Sequence, residues 1–376
     1  MARHLVVVGG GHAHLTVLLE IADFVQRGHK VTLVGPSPYH YYSGMGPGLL
    51  SGIYRPQDVR FHVKKMAEDR GATFVQDKVV GINPGQRILT LQSGEQVRYD
   101  VVSFNTGSDV PLDGLVDQPH ETVVPVKPVF NLLQAQRFIL PALREKRMNF
   151  TVVGGGPAGV EVTANLWRLV NQNGGNASIN LIAGRRLLGN LPEKVRAMAL
   201  SSLAGRGIVV IEGNRLKEVA GDQILMADGS SHPFHVAFMA LGVQPSRLFH
   251  NSGIPTGPDG GLLVNPFLQS MAYPEMFGGG DCISFAERPL AKVGVYAVRQ
   301  NPILLHNLMA ALEGREMKPF MPQKDYMLIF NLGNGRGILW KKNFVWEGRL
   351  AFLLKDYIDR KFMKKFQVAG ESREEE

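Results

Sequence analysis

The sequence is poor in cysteine, with Cys282 as the single one among 376 residues. One cysteine excludes an intrachain disulfide, a paired-thiol redox site and a cysteine-based zinc or iron–sulfur centre within one chain. No apolar run approaches the about 20 residues that a membrane-spanning helix needs. The first apolar run, residues 5–8, is ended by glycines and is too short for a signal peptide. We therefore expect a protein of a reducing compartment, either free in the cytoplasm or peripheral on the inner membrane surface.

Acidic residues are the minority among the charged ones. The sequence has 33 Asp and Glu residues and 41 Lys and Arg residues, which gives a net charge of +8. This balance suits an anionic ligand, an anionic membrane surface or nucleic acid. The basic residues follow no nucleic-acid-binding motif, so we expect no nucleic-acid partner. The close pairs His12/His14 and His232/His235 lack a third ligand or an acidic cluster. We therefore predict no metal site.

Glycine is abundant, with 43 residues, and two of its clusters begin copies of one plan. Residues 5–8 and 149–153 predict buried strands, and each is followed by a glycine turn, a helix and a second strand. Each copy continues with short strands and ends in a small-residue turn, at 105–108 and at 240–242. This internal repeat predicts an α/β protein with two Rossmann-like units.

The first unit is predicted to be discontinuous. It comprises residues 1–115 and 255–320, and the second unit, residues 116–254, is inserted between them. Residues 321–376 predict a C-terminal α+β region with a helix from about 347 to 366. That helix has an apolar stripe at four-residue steps and many basic residues, which is typical of an amphipathic helix at a membrane surface. Its apolar stripe could equally pack on the core, and the sequence leaves both interpretations open.

The first glycine turn predicts a dinucleotide site. Gly9 permits a tight turn, and Gly11 lets the backbone approach a pyrophosphate at the helix N-terminus. His14 replaces the third glycine of the pattern, so it either loosens the helix–strand packing or faces the ligand. Gly35 stands where an acidic residue would bind the ribose.

The second glycine turn, residues 154–159, carries the complete pattern between a strand and a helix. Glu161 follows on the first helical turn, where a carboxylate also suits the helix dipole. The next strand ends at Arg185 and Arg186 without an acidic residue, which favours the 2′-phosphate of NADPH over NADH. Two dinucleotide turns in one chain indicate electron transfer between a flavin and a nicotinamide.

Together with Gly280-Asp281-Cys282, these features resemble the two-dinucleotide-binding-domain flavoproteins, and the resemblance covers nearly the whole chain. This superfamily includes pyridine nucleotide–disulfide reductases, type II NADH dehydrogenases and sulfide:quinone reductases. Four further motifs are similar to the flavoprotein module that some organisms carry fused to selenide, water dikinase. They are Gly-Gly-Gly-His-Ala-His at 9–14, Tyr-Ser-Gly-Met at 42–45, Val-Tyr-Ala-Val-Arg-Gln at 295–300 and Lys-Asp-x-Ile-Asp-Arg-x-Phe-Met at 355–363.

The resemblance implies FAD on the first turn and NAD(P)H on the second. It also implies that Asp281 hydrogen-bonds the ribityl–phosphate region of FAD. Combined with the turn pattern, it makes the expected cofactor-binding residues Gly9, Gly11, His12, His14, Thr106, Gly107, Gly154, Gly156, Gly159, Arg185, Gly280, Asp281 and Lys292. Cys282 is expected to be a small buried side chain without a redox task.

The expected catalytic residues are Glu161, Lys292, Tyr296 and Gln300. The resemblance implies that Lys292 precedes a helix whose N-terminus faces the flavin pyrimidine. Type II NADH dehydrogenases have two glutamines four residues apart on the quinone side; here Gln300 matches the second and Tyr296 replaces the first.

The sequence therefore predicts an FAD-dependent enzyme that passes two electrons from NAD(P)H to a quinone-type acceptor. The missing cysteine pair excludes disulfide reductase chemistry and makes sulfide:quinone reductase chemistry a weak match. Two alternatives stay open. One is a flavoprotein with a reduced sulfur or selenium donor, and the other is a flavin-binding redox sensor or partner module without turnover.

Overall fold

A computed structural model describes residues 2–116 and 121–374. It confirms an α/β protein with two parallel five-stranded sheets. Small parts of the predicted regions, at residues 1, 117–120 and 375–376, lie outside the described residues.

The strands are short, and most belong to one of the two Rossmann-like units. In chain order they are β1 (His4–Val8), β2 (Lys30–Gly35), β3 (His40–Tyr41), β4 (Arg60–Phe61), β5 (Thr73–Gln76), β6 (Val79–Asn83), β7 (Ile88–Leu91), β8 (Gln96–Arg98), β9 (Val101–Phe104), β10 (Val123–Pro125), β11 (Met148–Val153), β12 (Ala177–Ile182), β13 (Val209–Ile211), β14 (Leu216–Ala220), β15 (Gln223–Met226), β16 (Ser231–Pro233), β17 (Val236–Met239), β18 (Leu262–Val264), β19 (Met276–Gly278), β20 (Ile283–Phe285), β21 (Leu328–Asn331), β22 (Gly337–Lys341) and β23 (Phe344–Gly348).

The helices connect and cover these strands. The α-helices are α1 (Leu15–Leu19), α2 (Ile21–Gln26), α3 (Gly46–Leu50), α4 (Val63–Glu68), α5 (Phe130–Glu145), α6 (Pro157–Gln172), α7 (Glu193–Ala204), α8 (Leu248–Asn251), α9 (Gly294–Glu313) and α10 (Arg349–Phe366). Short 3₁₀ turns lie at Ser43–Met45, Pro56–Asp58, Gly280–Cys282 and Glu371–Arg373.

The first sheet has the order β19-β9-β1-β2-β5, and all its neighbours are parallel. Val6 and Val7 of the central strand are fully buried, because a parallel sheet has helices on both faces. The edge strand β19 comes from beyond the second unit, so the first unit is discontinuous as predicted. Parallel strands place their carboxyl ends at one edge, which brings Gly9, Asn105 and Gly279 together there.

The second sheet repeats the arrangement with the order β10-β17-β11-β12-β13. Each unit also carries an antiparallel three-stranded sheet, β6-β7-β8 in the first and β14-β15-β16 in the second. The repeat that the sequence indicated is thus present in both the main sheets and the accessory sheets.

The C-terminal region consists of the antiparallel sheet β21-β22-β23 and helix α10. The predicted helix start near 347 is two residues early, because Glu347 pairs with Ile338 in the sheet. The helix packs on the first unit through polar contacts. Tyr42 donates to Asp359 at 3.0 Å, and the Tyr54 hydroxyl donates to Asp356 at 2.9 Å.

The apolar stripe of α10 has two different environments. Phe366 is buried and stacks in an aromatic cluster with Phe362 and Phe61. Towards the other end, Leu353 and Tyr357 are 56% and 62% exposed. One end of this helix therefore packs on the core, and the other leaves apolar side chains uncovered. Within the described residues, no helix combines the length and apolarity that crossing a membrane requires.

Candidate functional site

The carboxyl edges of both main sheets border one cavity of about 2310 Å³. Its lining includes the first glycine turn, the second glycine turn and the turns that follow β9, β17 and β19. A cavity for one small molecule typically measures about 300–1,000 Å³. This space therefore accommodates more than one ligand of ordinary size.

The first turn is closed by tight backbone packing. Gly9 has a φ of +84°, and a Cβ atom there would overlap the carbonyl of Asn105. A Cβ atom at Gly11 would overlap the Asn105 side chain. Only glycine fits these two positions, which agrees with the predicted dinucleotide turn.

His14 does not face the cavity, so the prediction that it contacts the cofactor is corrected by the structure. Its ring is buried, with Nδ1 at 2.7 Å from the Gly9 carbonyl and Nε2 at 2.7 Å from the Ser103 hydroxyl. Burial lowers the pKa of His14 to about 4, so the ring is neutral. A carbonyl only accepts, so Nδ1 carries the proton and Nε2 accepts from Ser103. His14 thus stabilises the first glycine turn through hydrogen bonds on the side away from the cavity.

His12 lies on the cavity wall, as expected for a residue of the turn. Its Nδ1 is 3.4 Å from His40 Nε2, and its ring packs against Tyr42 and Phe362. Burial lowers the pKa of His12 to about 4, so no charge is expected here near neutral pH.

The second turn differs from the first because one of its glycines faces open space. A Cβ atom at Gly154 would overlap the Ala240 carbonyl, and one at Gly159 would overlap the Gly154 carbonyl. At Gly156, directly before α6, no atom lies within 4 Å of such a Cβ position. Gly156 lines the cavity, so a side chain there would fill the space that a pyrophosphate needs at the helix N-terminus. The residues present therefore fit a dinucleotide.

Arg185 and Arg186 have different environments. Arg185 is exposed, lines the cavity and has no ion-pair partner among the described contacts. Arg186 pairs with Glu193. A second acidic residue, Glu212, accepts from the Leu187 amide at 2.6 Å and pairs with Arg196 at 2.7 Å. Both arginines line the cavity, and Arg185 is the one without an ion-pair partner among the described residues.

A polar cluster borders the cavity where the two units meet. Lys127 Nζ lies 2.7 Å from Asp281 Oδ2 and 3.0 Å from Ser108 Oγ. Ser108 in turn donates to Asp281 Oδ2 at 2.8 Å. Burial opposes ionisation of Asp281, but Lys127 and Ser108 hold its pKa below the ordinary value. Asp281 is therefore a carboxylate, as a ligand of sugar hydroxyls requires. Thr106, Gly107 and Gly280 lie on the same wall.

Glu161 lines the cavity at the start of α6. Burial raises its pKa to about 7, although Lys355 and the Asn331 amide, which donates to Oε1 at 2.7 Å, oppose this shift. The pKa of Glu161 therefore lies near neutral pH, and a carboxyl group with such a pKa can both donate and accept a proton there.

Lys355 is a buried cation beside Glu161. Its Nζ donates to the Gly44 carbonyl at 2.7 Å and to Asp359 Oδ2 at 2.8 Å. Burial alone would lower the pKa of Lys355, but Asp359 and Glu161 raise it above the ordinary value. Asp359 also accepts from Tyr42. The C-terminal helix thus places a charged pair close enough to influence Glu161, which lines the cavity.

The residues expected around the quinone lie outside the large cavity. Tyr296 and Gln300 are buried and do not line the large cavity. Gln300 Oε1 accepts from the Gly280 amide at 2.7 Å, so it fixes the turn that carries Asp281. The Tyr296 hydroxyl lies 3.4 Å from the Gln323 carbonyl. Both residues shape the protein rather than contact a ligand in the large cavity.

Lys292 does line the cavity, next to the first residues of α9. Its ammonium pairs with Asp259 at 2.7 Å and donates to the Ile283 carbonyl at 2.5 Å. Cys282 is fully buried, as expected, and burial raises the pKa of its thiol. Among the described His, Cys, Asp and Glu residues, no group of three or more could hold a metal ion.

Lys127, Ser108 and Lys355 were missed by the sequence analysis as site residues. Lys127 lies in a proline-rich segment that the sequence indicates only as a connection. Lys355 and Asp359 are four residues apart within one of the quoted motifs, and this helical spacing was the available signal. Nothing in the sequence showed that they would meet Glu161.

Comparisons with known proteins agree with this geometry. Ferroptosis suppressor protein 1 of Xenopus tropicalis is 25% identical to the chain over 352 residues, which is 89% of this chain and 87% of the relative. The type II NADH:quinone oxidoreductase of Haemophilus influenzae is 22% identical over 370 residues, which is 85% of this chain and 82% of the relative.

Solved structures share the fold. The NDH2 of Plasmodium falciparum in complex with NADH has a TM-score of 0.81 at 14% identity and 98% coverage of both chains. The sulfide:quinone oxidoreductase of Aquifex aeolicus has a TM-score of 0.79 at 18% identity, and the match covers 98% of this chain and 92% of that chain.

The family model described as pyridine nucleotide-disulphide oxidoreductase matches residues 3–307, a range that includes both glycine turns and Asp281. The single buried Cys282 leaves no intrachain dithiol, so the disulfide part of that description does not apply within one chain. With both nucleotide turns, the discontinuous first unit and the shared cavity in place, the chain belongs to the pyridine nucleotide-disulphide oxidoreductase family.

Proposed function

We propose that this protein is an FAD-dependent oxidoreductase that passes two electrons from NAD(P)H to a quinone-type acceptor. The observation that carries the proposal is the single cavity lined by both glycine turns. Two dinucleotides bound on these turns would share one cavity, which brings them as close as electron transfer between them requires. The names of the type II relatives, which include NADH and quinone, support the same function.

The cavity wall supplies the charge that two anionic dinucleotides need. Its cationic residues outnumber its acidic ones. They are Arg60, Arg137, Arg185, Arg186, Arg215, Lys78, Lys127 and Lys292, compared with Asp77, Asp109, Asp113, Asp281 and Glu161. FAD, when bound, supplies two-electron chemistry that the side chains of this protein lack. The residues around the first turn hold it, and Asp281 is the carboxylate available to its sugar hydroxyls.

Glu161 is proposed as the proton-exchanging residue. Reduction of a quinone by two electrons consumes two protons, so the acceptor needs a proton source beside it. Glu161 has a pKa of about 7 and lies beside the buried Lys355. Tyr326, Leu328 and Trp340 give the adjoining wall an apolar surface suited to a quinone ring.

The exposed apolar face of α10 is proposed as a membrane-binding surface, and we call it the α10 face. It comprises Leu350, Leu353, Leu354, Tyr357 and Ile358. Lys361, Lys364 and Lys365 follow on the same helix, and cations beside an apolar face favour an anionic lipid surface. A lipophilic acceptor would reach the cavity from that surface.

The test of the proposed function is spectroscopic. The purified protein, loaded with FAD if necessary, is expected to show a flavin absorbance band that bleaches when NADPH or NADH is added without oxygen. Adding a short-chain ubiquinone then restores the band. A flavin band that neither donor bleaches contradicts the proposed function. It would favour a flavoprotein with a reduced sulfur or selenium donor, or a redox sensor.

Arg185→Ala tests the proposed preference for NADPH. Loss of one charge-assisted hydrogen bond to a phosphate should raise the KM for NADPH about 10-fold, which corresponds to about 1.4 kcal/mol. The KM for NADH should not change. The matched control is Arg186→Ala, because Arg186 already pairs with Glu193. Equal losses with both donors in Arg185→Ala would show that this side chain does not recognise the 2′-phosphate.

Glu161→Gln tests the proton-exchanging role. A proton donor is active when protonated, so the wild-type rate of quinone reduction should fall as the pH rises through about 7. The variant should lose about 100-fold in kcat at pH 6 and show no step near pH 7. Glu145→Gln, an exposed carboxylate on α5, is the control and keeps the wild-type profile. A step that persists unchanged in Glu161→Gln assigns the proton to another group.

Co-sedimentation with phosphatidylglycerol–phosphatidylcholine vesicles tests the α10 face. The wild-type protein should sediment with vesicles and be released by high salt. Leu353→Ser with Tyr357→Ser should weaken binding at least about 10-fold, because both apolar side chains leave the bilayer interface. Val209→Ser removes an exposed apolar residue from the second unit and serves as the control. Equal binding by the double variant would exclude this face as the attachment site.

A further inference from the structure

Lys127 crosses the boundary between the two units. It follows β10, which belongs to the second sheet, yet its ammonium group contacts Asp281, which follows β19 of the first sheet. The two residues are 154 positions apart in the sequence. An ion pair over this separation is set by the tertiary structure and lies at the cavity wall.

The hydrogen bonds of this cluster leave one donor unused. An ammonium group has three N–H donors. Lys127 gives one to Asp281 Oδ2 at 2.7 Å and one to Ser108 Oγ at 3.0 Å. Among the described contacts, the third N–H has no acceptor. The side chain of Lys127 is 25% exposed, so this donor is available to a ligand in the cavity.

Sheet order indicates which end of a bound dinucleotide meets Lys127. In a Rossmann-like unit, the ribose of the adenosine half lies at the carboxyl end of the second strand, here at Gly35. That strand lies on the β5 side of the sheet, whereas Asp281 follows β19 at the opposite edge. A dinucleotide extended along the carboxyl edge therefore places its flavin end near Lys127.

The neighbouring chain supports this placement. Val129, two residues after Lys127, packs on Gly46, because a Cβ atom at Gly46 would lie 3.2 Å from its Cγ1. Phe130 packs on Tyr41, with their ring centres 5.7 Å apart. Lys127 is thus held on the side of the first unit that faces the second, where electrons must cross from one dinucleotide to the other.

We propose that Lys127 stabilises the negative charge that the flavin gains on reduction and so raises its midpoint potential. This inference rests on the proposed function. A hydride from reduced nicotinamide brings two electrons and one proton, so nicotinamide becomes a cation and the flavin gains one negative charge. A fixed ammonium donor interacts more strongly with the charged form of the flavin than with the neutral form.

The test measures the midpoint potential of bound FAD and, separately, the dissociation constant of oxidised FAD. In Lys127→Met, the affinity for reduced FAD should fall about 10-fold more than the affinity for oxidised FAD. For a two-electron couple this lowers the midpoint potential by about 30 mV. Lys127→Arg keeps the charge and should stay close to wild type. Lys65→Met, which removes an exposed lysine outside the cavity, should have no effect.

Two results would overturn the inference. An unchanged midpoint potential in FAD-loaded Lys127→Met would do so, and so would an equal loss of affinity for both redox states, which indicates a phosphate contact. If Lys127→Met does not fold or load FAD, Ser108→Ala is the deciding variant. It removes the hydroxyl that accepts a hydrogen bond from the Lys127 ammonium group, so it should shift the midpoint potential of bound FAD. A wild-type protein that binds no FAD refutes the proposed function itself, so the two failures are distinguishable.

Discussion

The structure depends on two places where backbone atoms approach so closely that only glycine fits. Gly9 lies against the Asn105 carbonyl, and Gly154 lies against the Ala240 carbonyl. In each unit the contact joins the first strand to the strand that closes the same sheet edge, so the helix that follows can begin directly above the sheet. In the second unit, Pro157 and Ala158 at the start of α6 line the cavity. A larger side chain at either position would separate the strand ends and displace the phosphate-binding helix.

Charge around the cavity is arranged by partners from distant parts of the chain. Asp281 stays ionised because Lys127 and Ser108 face it, whereas Glu161 holds its proton up to neutral pH because burial outweighs the effect of Lys355. The surroundings of the two carboxyl groups thus move their pKa values in opposite directions. Burying Lys355 and Asp359 is costly unless they pair, and their pairing also fixes α10 on the first unit through Tyr42 and Gly44.

Three of the expected site residues lie outside the large cavity for one physical reason. His14, Tyr296 and Gln300 stand at motif positions that suggest ligand contact, but each polar group is turned to the protein itself. His14 in particular replaces a glycine of the turn and compensates by bonding the Gly9 carbonyl and Ser103. Sequence spacing gives the position of a residue along a helix or strand. It does not give the direction of the side chain when several buried acceptors compete for it.

The sequence by itself determined the two Rossmann-like units, their glycine turns, the discontinuity of the first unit and the absence of dithiol chemistry. These features depend on local patterns: hydrophobic periodicity, glycines at fixed spacing and a cysteine count. Only the tertiary structure decided that both turns share one cavity, that Lys127 reaches Asp281 and that Lys355 meets Glu161. Those contacts join residues more than 150 positions apart, and the packing of whole units fixes them rather than any pattern within a short segment.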